Sequence, residues 1–268
     1  MTDMPPAFVA LGVGLTGLCV GSFLNVCIYR LPLKQSVVYP GSRCPGCGHA
    51  LAWYDNLPVL SYLALRGRCR GCRAPISVRY PLVEVLTALI FLWHLSVFDL
   101  TPTFYVRVAF ASALIVLFAI DLEHQILPDR ITLPGIVAGL ACSLLLPPGV
   151  VSSLLGILVG GGLLWGIAEL WYRLRKVDAM GFGDVKMLAM VGAVLGVRLV
   201  ILTFVLSSML GGLVGMLLLA TRRADMATKV PFGTMLAAAA LIASLYGDAI
   251  VAWYAAKFVI GLSQNVTT

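Results

Sequence analysis

The chain runs to 268 residues, of which 60% are hydrophobic and only 12% are charged. A water-soluble domain needs about 25% charged residues to cover its surface, so this composition excludes an ordinary soluble fold and sets apolar side chains against lipid. The net charge of +7 does not call for nucleic acid as a partner, because excess Lys and Arg also hold loops on the cytoplasmic side of a membrane.

A hydrocarbon core about 30 Å thick takes about 20 apolar residues per helix. In chain order, apolar runs occupy residues 8–29, 81–98, 104–120, 133–146, 151–171, 187–195, 199–220 and 232–260. The first follows no basic stretch and precedes no small-residue cleavage site, so it is expected to be retained as a span. The run at 133–146 is short and ends at Pro147 and Pro148, and the run at 187–195 is the briefest.

Basic residues cluster between the first and second runs (Arg30, Lys34, Arg43, Arg66, Arg68, Arg70, Arg73, Arg79). They recur between the fifth and sixth (Arg173, Arg175, Lys176, Lys186) and between the seventh and eighth (Arg222, Arg223, Lys229), and Arg130 lies between the third and fourth. The opposite side keeps Arg107, Arg198 and Lys257. Every odd-to-even connection is basic, which predicts eight spans with both termini outside. The expected architecture is an all-α polytopic membrane bundle of about eight transmembrane helices, with a small cytoplasmic zinc-ribbon-like subdomain. Its expected divisions are a first transmembrane helix (1–30), a cytoplasmic metal-binding loop (31–80) and a transmembrane catalytic region (81–268).

Seven cysteines fall into two groups. Cys19, Cys27 and Cys142 lie in or beside apolar runs, where a free thiol is an ordinary small core residue. Cys44, Cys47, Cys69 and Cys72 form two CxxC pairs in the basic loop. Pairs at that separation present four thiolates tetrahedrally to one zinc ion. Four thiolates leave no open coordination position, so the zinc is expected to be structural, with His49 redundant. Two disulfides or four free thiols are the competing reading of these residues.

Acids at membrane depth are costly and mark function by default. Asp121 ends an apolar run in the segment LFAIDLEHQILPD (117–129), and Asp184 lies in GFGDVK (181–186), leading into the sixth run. Two adjacent carboxyl groups share a proton, one acting as base toward water and the other as acid toward a carbonyl oxygen. Each also has a plain structural reading: Asp121 as a helix stop, Asp184 as the N-cap of the next helix. Asp129 competes with Asp121 as the second acid. Glu123 and His124 read as solvated, while Glu84 and Glu169 sit near membrane faces, Glu84 within reach of Arg79.

Taken together, these residues resemble the bacterial type IV prepilin peptidases, including the bifunctional leader peptidase/N-methyltransferases. The resemblance rests on GSFLNVCIYRLP (21–32), the double CxxC loop, RYPLVEVLTA (79–88), DLEHQILPD (121–129), GFGDVK (181–186) and PFG (231–233). It implies an intramembrane aspartyl endopeptidase of the GxGD type with Asp121 and Asp184 as catalytic pair and Asp129 in second rank. It implies prepilin or pseudopilin substrates, cut after a glycine at the cytoplasmic face of the bacterial inner membrane. It also implies N-methylation of the new terminus with S-adenosylmethionine, with Gly67 in a stretch tied to that activity. No glycine-rich methyltransferase loop after a strand is visible. The segment 21–26 also reads as helix packing through Gly14, Gly17, Gly21 and Ser22. One departure from the family pattern is Thr234, where members often carry a further proline after PFG. Because the loop is as basic as a prepilin leader, leader recognition is expected to use acids such as Glu84, Glu123 or Asp129.

Overall fold

A computed structural model describes residues 5–44, 46–176, 181–221 and 231–260. Arg222, Arg223 and Lys229, counted above among the loop cations, lie outside them. The described elements are helical: α1 (Pro6–Arg30), α2 (Leu60–Ala64), α3 (Arg79–Phe98), α4 (Pro102–His124), α5 (Asp129–Cys142), α6 (Val150–Arg175), α7 (Phe182–Ala220) and α8 (Phe232–Tyr254). Two isolated antiparallel bridges, Arg43 with Ala50 and Arg68 with Pro75, are the only strand-like pairings among the described residues.

Six of these helices, α1, α3, α4, α6, α7 and α8, are long and apolar enough to cross a membrane. Each of the eight apolar runs is helical over most of its length, and two of them account for the smaller number. Helix α5 has 14 residues, about 21 Å at 1.5 Å per residue, which is short of the hydrocarbon thickness. The sixth and seventh runs lie in the 39-residue stretch named α7, which is two helices meeting at a kink where Gly196 takes the non-helical φ 81° and ψ 176°. A side chain at Gly196 would collide with Pro148 and Ser152, so both the dihedrals and the packing call for glycine. Phe8, Leu11 and Leu15 on α1, and Leu158 and Trp165 on α6, stand exposed, as lipid-facing residues do.

Two compact units divide the chain, Met1–Ile120 and Asp121–Thr268. In the first, α1 and α3 pack antiparallel through glycine. A Cβ on Gly17 would stand 2.6 Å from Ala88 Cα, and one on Gly21 2.6 Å from Glu84 Cα. The small residues of α1 are thus where the two backbones meet, as expected for helix association in lipid. Asn25 Nδ2 adds a hydrogen bond to the Tyr80 carbonyl at 3.0 Å.

In the second unit α7 is central. Ser153 Oγ donates to the Ala193 carbonyl at 2.7 Å, and Gly156 abuts Gly192 so closely that a Cβ on either would overlap the other's backbone. The pairings run 153 with 193, 156 with 192 and 160 with 188, so α6 is antiparallel to the first half of α7. Gly135 meets Met190 and Gly139 meets Val194, an equal offset that makes α5 parallel to the first half of α7. Those two short segments therefore begin side by side, one at Asp129 and the other at Phe182.

Candidate functional site

Two chain segments of the second unit, 121–129 and 181–184, enclose one cavity of about 280 Å³. Asp121, Gln125, Ile126, Leu127, Asp129, Gly181, Gly183 and Asp184 line it. Asp121 does not end its helix: α4 continues to His124, and the aspartate is 5% exposed. Nor is Asp184 an N-cap. Gly181 occupies that position without a side-chain cap, and Asp184 is the third helical residue of α7, 9% exposed. An acid in the first turn faces the positive end of the helix dipole.

The Asp121 carboxylate is held from α8. Thr234 donates to Oδ2 twice, from its backbone N–H at 2.6 Å and from its hydroxyl at 2.9 Å. Thr234 lies in the first turn of α8, where backbone N–H groups have no partner within the helix. Asp121 therefore caps α8 from another helix. Glycine at 233 permits the approach, since a Cβ there would stand 3.0 Å from the Asp121 carboxyl carbon. On the other wall, a Cβ on Gly183 would stand 3.0 Å from Leu127 Cβ, so the loop after α4 lies directly on the GFGD turn.

Asp129, the rival acid, lines the same cavity with a half-exposed carboxylate. Lys186 Nζ donates to both its oxygens, at 2.7 and 2.8 Å. Lys186 thus turns toward Asp129, which leaves Asp121 and Asp184 as the two buried acids of the cavity. Glu123 and His124 are exposed in the last turn of α4, and Glu169 forms a surface pair with Arg173 at 2.7 Å. Sequence reading singled out Thr234 only as a departure, and Gln125 not at all. Neither the acid a hydroxyl meets 113 positions away nor the bend at Gln125, where φ is 52°, has a local signature.

The basic loop of the first unit builds a second site. The ligand sulfurs of Cys44, Cys47, Cys69 and Cys72 all lie within 4.8 Å of one another, and the Cys44 and Cys72 sulfurs are 3.8 Å apart. A tetrahedral site with Zn–S bonds of about 2.3 Å has sulfur–sulfur edges of about 3.8 Å, so the four cysteines fit such an ion. Backbone N–H groups of Cys47 and Gly46 donate to the Cys44 sulfur and hold its thiol down to about 7, while the neighbouring sulfurs push Cys47 up to about 11, the mutual repulsion of thiolates that a shared cation offsets.

The two knuckles repeat each other. Cys44 N–H donates to the His49 carbonyl and Gly48 N–H to the Cys44 carbonyl, as Cys69 N–H does to Ala74 and Arg73 N–H to Cys69, all at 2.9 to 3.0 Å. Gly48 and Arg73, with φ of 70° and 59°, hold equivalent left-handed positions. Arg70 donates from Nε and Nη2 to one oxygen, Oδ1, of the buried Asp55, at 3.0 and 2.8 Å, and ties the second knuckle to the 3-10 turn Trp53–Asn56.

Beside the knuckles, a cavity of about 1440 Å³ opens between α1, the loop and α3, with Asn25, Tyr29, Arg30, Tyr62 and Glu84 among its walls. Glu84 is buried, and its Oε2 accepts the Val59 N–H at 2.8 Å. Gly67 is not among the lining residues. It takes a left-handed φ of 65°, and its N–H and carbonyl bond Tyr62 and Ile76 at 2.8 Å.

Residues 15–98 match the profile of the bacterial peptidase A24 N-terminal domain, and residues 108–216 that of the type IV leader peptidase family. A Pseudomonas putida protein named prepilin leader peptidase/N-methyltransferase is 40% identical over 93% of this chain and 94% of its own length. One of the same name from Pseudomonas aeruginosa is 38% identical over 95% of this chain and 96% of its length. A third, from Myxococcus xanthus, is 48% identical over 80% of this chain and 64% of its length. No solved structure matches the chain.

Proposed function

The chain belongs to the type IV leader peptidase family, and from that premise we propose that it removes the leader from prepilin or pseudopilin precursors by means of Asp121 and Asp184 and then N-methylates the new terminus. The enzyme sits in the bacterial inner membrane as a multi-pass protein, with its acid pair facing the cytoplasm. Residues 31–80 serve as the metal-binding loop and residues 81–268 carry the peptidase.

The observation that carries the peptidase reading is one cavity lined by two buried aspartates at the starts or ends of helices. One carboxylate of the pair takes a proton from water as the water oxygen attacks the scissile carbonyl carbon, while the other, protonated carboxyl gives its proton to the carbonyl oxygen. Collapse then breaks the C–N bond, and the amine leaves with a proton. Glycines at 181 and 183 keep the rim of the cavity open to a peptide backbone. Leader cleavage in membrane vesicles tests this directly: Asp121→Asn and Asp184→Asn each lower it by roughly 1,000-fold or more, and full cleavage by either variant defeats the assignment. The rival Asp129→Asn retains activity.

For methyl transfer, the first unit's cavity is the place the chemistry favours. S-adenosylmethionine supplies an electrophilic methyl group when bound. The buried Glu84 carboxylate holds the acceptor amine and takes its proton, and the tyrosine rings at 29 and 62 offer faces to an adenine. Zinc in the four cysteines fixes the loop that forms one wall. Equilibrium binding of labelled S-adenosylmethionine to the purified enzyme checks the site. Glu84→Gln lowers methylation about tenfold and leaves cleavage intact; unchanged methylation excludes Glu84 from the role.

A further inference from the structure

Thr234 is the only described residue whose hydrogen bonds to the Asp121 carboxylate are seen, and it makes two to the same oxygen. An oxygen that accepts two hydrogen bonds is not the one that carries a proton. Oδ2 of Asp121 is thereby fixed as an acceptor, and a proton shared by the pair rests on Asp121 Oδ1 or on Asp184. The same two bonds lock the rotation of the carboxylate, because both donors belong to one residue in the rigid first turn of α8.

We propose that Thr234 is a positioning residue for the proteolytic step: its hydroxyl and N–H anchor Asp121 Oδ2 and leave Oδ1 as the oxygen that meets the attacking water. The inference rests on the reading of Asp121 as catalytic. Asp121 stays in place without the hydroxyl, since the backbone N–H remains, but its carboxylate is free to rotate. The loss therefore falls on turnover and not on substrate binding, because Thr234 does not line the cavity.

Thr234→Val keeps the branched shape and the N–H and removes only the hydroxyl, whereas Thr234→Ser keeps the hydroxyl. With a purified prepilin in detergent micelles, Thr234→Val lowers kcat roughly tenfold with KM within twofold, and Thr234→Ser stays within threefold of the parent. Thermal unfolding and methylation of an already cleaved pilin report whether the valine variant is folded. A folded valine variant with parental kcat overturns the inference, as does a rise in KM alone or a serine variant as slow as the valine one. Cleavage by Asp121→Asn would instead remove the catalytic reading beneath it. Loss of activity in Asp121→Asn with none in Thr234→Val leaves that reading standing and refutes only the role of Thr234.

Discussion

The cysteine loop and the acid cavity are built on opposite plans. Each knuckle of the loop closes within six residues, from Cys44 to His49 and from Cys69 to Ala74, and a metal held by the four sulfurs would join the two halves. The acid cavity has no local closure. Its parts come from the end of α4, the start of α5, the turn before α7 and, through Thr234, the start of α8. A site of the first kind stands on ligand chemistry, and one of the second kind stands on helix packing. The two should therefore fail separately and for different reasons.

The largest expected effect is on the loop. Replacing Cys44 and Cys72 by Ser removes half the ligand set, and structural zinc supplies on the order of 10 kcal/mol to small domains that depend on it. Methylation then falls by roughly 100-fold or more while leader cleavage changes less than about fivefold, read on the same sample by N-terminal mass and by gel. Equal loss of both activities would show that the two plans are not independent. Next, Gly192→Leu drives a side chain into the α6 backbone and destabilises the second unit by about 3 kcal/mol. Its signature is a lower midpoint of thermal unfolding and reduced cleavage, with binding of S-adenosylmethionine kept.

Smaller effects refine the comparison. Lys186→Met releases Asp129 from an ion pair that is partly exposed and worth about 1 kcal/mol or less, so cleavage shifts by less than about threefold. A tenfold loss would mean that the pair, and not only the buried aspartates, shapes the cavity. Smallest is Arg73→Gly in the second knuckle. Gly48 already holds the matching left-handed position, and relief of the strain at 73 stabilises the loop by about 0.5 kcal/mol, measured as slower metal loss to a chelator.

What the sequence disclosed follows the same division. The cysteines were readable because their ligand spacing is local, and the two aspartates because charge in an apolar run is conspicuous. Which of the acids lie buried was not readable from the residues alone, where Asp129 competed with Asp121; in the structure Asp129 is half-exposed and paired with Lys186. The helix boundary at Gly196 was legible. The dip in hydropathy at Gly196 and Arg198 marked two runs, and the structure breaks the helix there, with Gly196 in a non-helical conformation between two helices. Thr234 shows the limit most plainly, since nothing near position 234 announces which acid its hydroxyl will reach. Gly17 and Gly21, by contrast, pack as their spacing on α1 suggested.

Separation of the two activities is tested most directly with a pilin whose leader has already been removed. The Asp184→Asn enzyme, given that substrate and S-adenosylmethionine, is expected to methylate the terminus at the parental rate while showing no cleavage of the intact precursor. Loss of methylation in a folded Asp184→Asn enzyme, or cleavage of the precursor by it, would contradict the account.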